Sequence, residues 1–81
     1  MVASEDTLKQ VMADVLGVEA GAIGENTSVD TLPAWDSLNH MKLVLALESE
    51  FDIAFSGEES VQILSYPLIR AVLAERGVVF V

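Results

Sequence analysis

The sequence predicts an all-α protein: a small four-helix bundle, three longer helices plus one short third helix, with a long loop between helices one and two. Three observations support this. Apolar residues recur every three or four positions in the long segments, short polar residues able to cap helix N–H groups stand at their starts, and glycine or proline punctuates the passages between them. Residues 1–81 read as a single domain, with no internal repeat, low-complexity tract or linker.

The first helix is expected from about Ser4 to Leu16. Ser4 suits an N-cap, and Glu5 and Asp6 place negative charge in the first turn, where the helix dipole favours it. Leu8, Val11, Met12, Val15 and Leu16 then form one apolar stripe, and Gly17 is a natural stop. From Gly17 to Trp35 three glycines, a proline and the polar run Glu25-Asn26-Thr27-Ser28 show no sustained period, so the passage reads as a long loop. A connection of this length is usually functional or held by anchors, and Val18, Ile23, Val29 and Leu32 are the candidates.

The second helix is expected from Asp36 to about Phe51. Pro33 disfavours helix at Leu32, and the oxygens of Asp36 and Ser37 both suit the capping of helix N–H groups. Neither glycine nor proline interrupts the run from Leu38 to Phe51. Leu43, Val44, Leu47 and Phe51 share one face, while Leu38, Met41 and Leu45 define a second beside Lys42 and Glu48. Two apolar faces suit either a central helix with several neighbours or a helix with a partner surface.

Ser56-Gly57-Glu58-Glu59 forms a capping box, and only one or two helical turns fit before Ser65-Tyr66-Pro67 opens a last helix. Leu68, Ile69, Val72 and Leu73 give that helix its apolar face. Arg70 and Arg76 are expected toward its negative end, with Gly77 as its stop. The tail Val78-Val79-Phe80-Val81 is apolar and β-prone, and either packs back on the bundle or belongs to a longer chain.

Composition narrows the function. A 52% hydrophobic content and a mean hydropathy of +0.47 argue for a folded chain despite a net charge of −9. Thirteen acids against four bases repel nucleic-acid phosphate, which excludes nucleic-acid binding, and favour partners that present basic docking patches. No apolar run approaches the length of a membrane span, and the acidic start lacks the features of a signal peptide, so a cytoplasmic home is expected. With no cysteine, the chain has neither a disulfide nor a thiolate nucleophile, and thiol chemistry would require a group from outside.

Ser37 is the residue on which chemistry converges. A serine in the first turn of a helix is close to water and near the positive end of the dipole, where an attached phosphate is well tolerated. A hydrolase reading of Asp36, Ser37 and His40 fails because Asp36 would point elsewhere and no Gly-rich turn offers an oxyanion hole. His40 reads instead as a surface histidine available to a partner. Neither a calcium-loop spacing nor a zinc ligand set is present.

The run Asp36-Ser37-Leu38-Asn39-His40-Met41-Lys42-Leu43-Val44-Leu45-Ala46-Leu47-Glu48-Ser49-Glu50-Phe51 resembles the acyl carrier protein family. Its Asp-Ser-Leu, Leu-x-x-x-Leu-Glu and Glu-Phe elements match in register, and Leu16-Gly17-Val18, the long loop and the later helices extend the resemblance over nearly the whole chain. It implies a carrier without catalysis of its own. Ser37 would bear 4′-phosphopantetheine, transferred from coenzyme A by a phosphopantetheinyl transferase that reads Asp36. The arm's thiol would carry an acyl or aminoacyl thioester to acyl-loading and acyl-processing enzymes, with Leu38, Met41 and Leu45 as the partner or cargo face and Glu48 as an acidic docking point.

The resemblance also implies a monomer without stable membrane insertion. Asn39 and Lys42 stand where carriers of fatty-acid synthesis commonly place acids, and Ala34-Trp35 where peptidyl carriers usually show glycine; the Trp-Asp-Ser-Leu form looks more like stand-alone carriers of specialised pathways. The competing reading is a non-modified helical interaction module that uses the same face of the second helix, with Ser37 as a plain cap.

Overall fold

Capping chemistry sets the element boundaries in this computed structural model, which describes residues 2–81. Helix α1 spans Glu5–Leu16, α2 Ser37–Phe51, α3 Gly57–Gln62 and α4 Tyr66–Glu75. Each is preceded by a residue whose side-chain oxygen accepts an N–H from the first turn: Ser4 from Thr7, Asp36 from Asn39, Ser56 from Glu59 and Ser65 from Leu68. The capping box of α3 is complete, because Glu59 reaches back to the Ser56 N–H at 2.9 Å. Ser4 and Asp36 therefore stand just outside the helices they were expected to begin.

The three longer helices bury Leu8, Met12 and Leu16 from α1, Leu43, Leu47 and Phe51 from α2, and Ile69, Val72 and Leu73 from α4 in one core. Helix α3 buries no residue of its own; the anchor at its exit is Ile63, which is fully buried. Short and superficial, α3 depends on specific bonds to its neighbours.

The long loop is more ordered than its sequence suggests. A single 3-10 turn forms at Ala20–Ala22, and Ile23 is buried while Val18, Val29 and Leu32 pack partly against the core, as the four anchors were expected to do. Thr27, a polar residue with no sequence signal, is also buried; its hydroxyl accepts from Gly24 N–H at 2.9 Å and reaches the Ala22 carbonyl at 3.3 Å. Ser28 and Ser65 form an isolated antiparallel bridge through Val29 N–H to Leu64 O and Tyr66 N–H to Thr27 O. These bonds fix the loop that delivers the chain to α2.

The tail packs on the domain. Strand β2, Val79–Phe80, pairs in parallel with β1, Val2–Ala3, while Val78 is buried and Phe80 meets Phe51 edge to face at 6.3 Å. Arg70 needs a correction: it lies in the middle of α4 and pairs with Glu5 and Glu25, not with the helix end. Arg76 does stand at the C-cap, but its guanidinium turns to Glu59 of α3. Opposite charge within reach outweighs the weaker attraction of helix carbonyls.

Candidate functional site

The approach to α2 is held by local bonds that follow from its composition. Pro33 interrupts regular structure, Trp35 N–H closes a turn on Leu32 O at 2.9 Å, and the Trp35 side chain is drawn into the core, 3% exposed. Asp36 then caps α2, with Oδ1 accepting the Asn39 N–H at 2.9 Å and its carbonyl accepting the His40 N–H at 2.8 Å. The Asn39 amide donates to Ala34 O at 2.7 Å, which pins the strand of chain before the helix.

Ser37 is the first residue of α2 and is exposed. Among the described residues its hydroxyl has no hydrogen-bond partner, and the N–H groups of Ser37 and Leu38 have no protein acceptor. Two unpaired N–H groups at the positive end of a fifteen-residue helix form a site suited to an anion, and a phosphodiester on the Ser37 oxygen would sit within it. An open cleft of about 540 Å³ begins here, lined by Asp36, Ser37, His40 and Met41 of the helix start and by Val29, Trp35 and Leu64 opposite.

The second face of α2 is unpartnered. Leu38, Met41 and Leu45 are 63%, 67% and 66% exposed, and Val61 of α3 adds a fourth apolar side chain at 67%. Between α2 and α3 a second trough of about 310 Å³ is lined by His40, Met41, Val44, Leu45, Ser60 and Val61. Lys42 is exposed, whereas Glu48 is half-buried and its Oε2 accepts the Phe55 N–H at 2.8 Å, which commits part of that carboxylate to the loop after α2. Ser37, Leu38, Met41 and Leu45 thus lie along one side of α2, Asp36 caps its start, and Glu48 is partly committed to the loop after it.

His40 corrects the reading as a free surface histidine. Its ring lies 6.2 Å from that of Trp35 at 23°, its Nδ1 accepts the Trp35 indole N–H at 3.0 Å, and its Nε2 lies 2.6 Å from Ser60 O. A buried indole N–H needs an acceptor, but the burial of Trp35 is known only from the fold, so the sequence did not point to this partner. That the partner would be His40, and that His40 would in turn reach α3, follows only from the packing.

The family model described as a phosphopantetheine attachment site matches residues 6–74, which include this site, and the chain belongs to that family. It is 41% identical over 61 residues to the acyl carrier protein of Clostridium acetobutylicum, a match covering 74% of this chain and 78% of that protein. Carriers of this family hold a covalently attached 4′-phosphopantetheine, and the exposed hydroxyl, the two unpaired N–H groups and the adjoining cleft fit such an arm.

Proposed function

We propose that this chain is an acyl carrier in which the Ser37 hydroxyl bears 4′-phosphopantetheine and the arm's thiol carries an acyl or aminoacyl thioester. One observation supports this above the rest: an exposed, unbonded serine hydroxyl is the first side chain of α2, beside two N–H groups without acceptors. The phosphate would be stabilised by those N–H groups and by the helix dipole. Asp36 orders this turn by capping it and is the residue a phosphopantetheinyl transferase would read.

Leu38, Met41 and Leu45 serve as the surface met by the transferase and by acyl-loading and acyl-processing enzymes. Exposed apolar groups on one rigid helix face, with Lys42 alongside, give such partners a defined place to dock. The domain acts as a monomeric, cytoplasmic carrier and leaves the chemistry to its partners. No described helix is long and apolar enough to cross a membrane.

Incubation with a phosphopantetheinyl transferase and coenzyme A, followed by intact mass measurement, tests this reading. Wild type gains one phosphopantetheine and Ser37→Ala gains none. A wild-type chain left unmodified by several transferases would favour instead an interaction module that uses the same face of α2.

A further inference from the structure

We infer that His40 is a positioning residue whose ring bars the groove between α2 and α3 and limits how far an acyl chain can enter it; this inference rests on the carrier reading of Ser37. The tautomer follows from the partners. The Trp35 indole can only donate, so Nδ1 must accept, and the proton of the neutral ring lies on Nε2, which donates to Ser60 O at 2.6 Å. Ser60 O needs that donor. A longer α3 would have supplied it with the Leu64 N–H, but the chain leaves the helix and Leu64 N–H goes to Gln62 O instead. His40 of one helix therefore caps the last turn of another.

That bond joins α2 to α3 at the groove between them. His40 and Met41 line both the cleft that opens at Ser37 and the aliphatic trough between α2 and α3, and Ser60 lines the trough. Met41 is exposed and unbranched, so it can swing aside at little cost. His40 cannot, because both its nitrogens are engaged and its ring is stacked on a buried tryptophan. An acyl chain that enters the groove from the Ser37 end would meet this polar bar before the trough lined by Val44, Leu45 and Val61. Passing it means breaking the His40–Ser60 bond and leaving a donor and an acceptor to find water. Short chains therefore shelter up to the bar, and added methylenes beyond it gain little burial.

The test loads the full chain with butanoyl-, octanoyl- and dodecanoyl-phosphopantetheine and records the rise in Tm over the unacylated holo form, together with amide nitrogen–proton spectra of Val44 and Val61. In wild type the rise levels off between octanoyl and dodecanoyl, and the two amides hardly move. In His40→Ala the rise continues with length and both amides shift, because each further methylene can now be buried. His40→Gln, whose amide can still donate to Ser60 O, follows wild type. Matching length profiles in wild type and His40→Ala overturn the inference, as does His40→Gln behaving like His40→Ala. Should His40→Ala not fold, wild type decides alone: a dodecanoyl form that gains further in Tm and shifts Val44 and Val61 overturns the bar. A wild type that accepts no phosphopantetheine removes the carrier reading itself, a result distinguishable by mass before any melting curve is taken.

Discussion

The phenolic O–H of Tyr66 donates to the Glu5 carboxylate at 2.6 Å and so ties the first turn of α1 to the first turn of α4. Arg70 joins the same Glu5 oxygen at 2.7 Å and also reaches Glu25 of the long loop at 2.8 Å. The Tyr66 bond is the largest influence holding the Glu5 carboxyl below its usual range, followed by Arg70, while burial and then Glu5 push the phenol upward. Tyr66→Phe keeps the ring in the core and removes only the donor. It lowers Tm by about 5 °C, by circular dichroism, in a domain of this size; an unchanged Tm would show that the bond contributes nothing.

A second tie carries a pH signature. Glu59 accepts from Ser56 N–H and from Arg76, whose Nε lies 3.0 Å from Oε2, and the Arg76 bond leads in lowering the carboxyl from its ordinary 4.5 to about 2. Because the folded value lies below the unfolded one, the stability this carboxylate contributes is present above pH 4.5 and is lost as pH falls toward 2. Melting curves of wild type and Glu59→Gln differ at neutral pH and converge on acidification through that window. A constant offset between them across the window would refute the assignment.

The two faces of α2 separate stability from recognition. Leu47 is fully buried, and Leu47→Ala destabilises by about 2–5 kcal/mol. Leu45, two residues earlier, is 66% exposed, so Leu45→Ala stays within about 0.5 kcal/mol of wild type. On the proposed function it nonetheless raises the transferase KM for this carrier. Denaturant titration and modification kinetics on the same two variants check both statements.

Two helix ends use the same left-handed turn with different residues. Gly17 adopts it at φ 69° after α1, and Asp52 at φ 53° after α2. No neighbouring atom would crowd a Cβ at Gly17, so Gly17→Ala destabilises through backbone strain alone. Asp52→Gly relieves that strain at the cost of a more flexible unfolded chain, with a net gain of about 0.5 kcal/mol. Urea midpoints that move in opposite directions for the two variants meet the expectation, and midpoints that move together contradict it.

Helix starts were legible because the information is local: Ser4, Asp36, Ser56 and Ser65 each announce a cap within three residues of the N–H they accept. The exposure of Ser37 and most of the apolar stripes followed from the same short-range reasoning, but in α4 Leu68 is 48% exposed and Tyr66 is buried in its stead. The end of α2 was legible at Phe51, but its left-handed turn at Asp52 was not, since aspartate adopts that turn far less readily than glycine. Trp35 in the core had no period to betray it, because a single aromatic in a loop repeats with nothing. His40 and Ser60 lie twenty positions apart, and β1 and β2 at opposite ends of the chain, so only the assembled fold brings these pairs together.

The parallel pairing of Val2–Ala3 with Val79–Phe80 has a practical corollary. Phe80 sits on Phe51, at the far end of α2 from Ser37, and fifteen helical residues place those ends about 21 Å apart. Anything tethered through Val2 or Val81, whether an affinity tag, a sensor surface or a fused enzyme, leaves from one common corner remote from the serine. Immobilisation through either end should therefore leave modification at Ser37 equally unhindered.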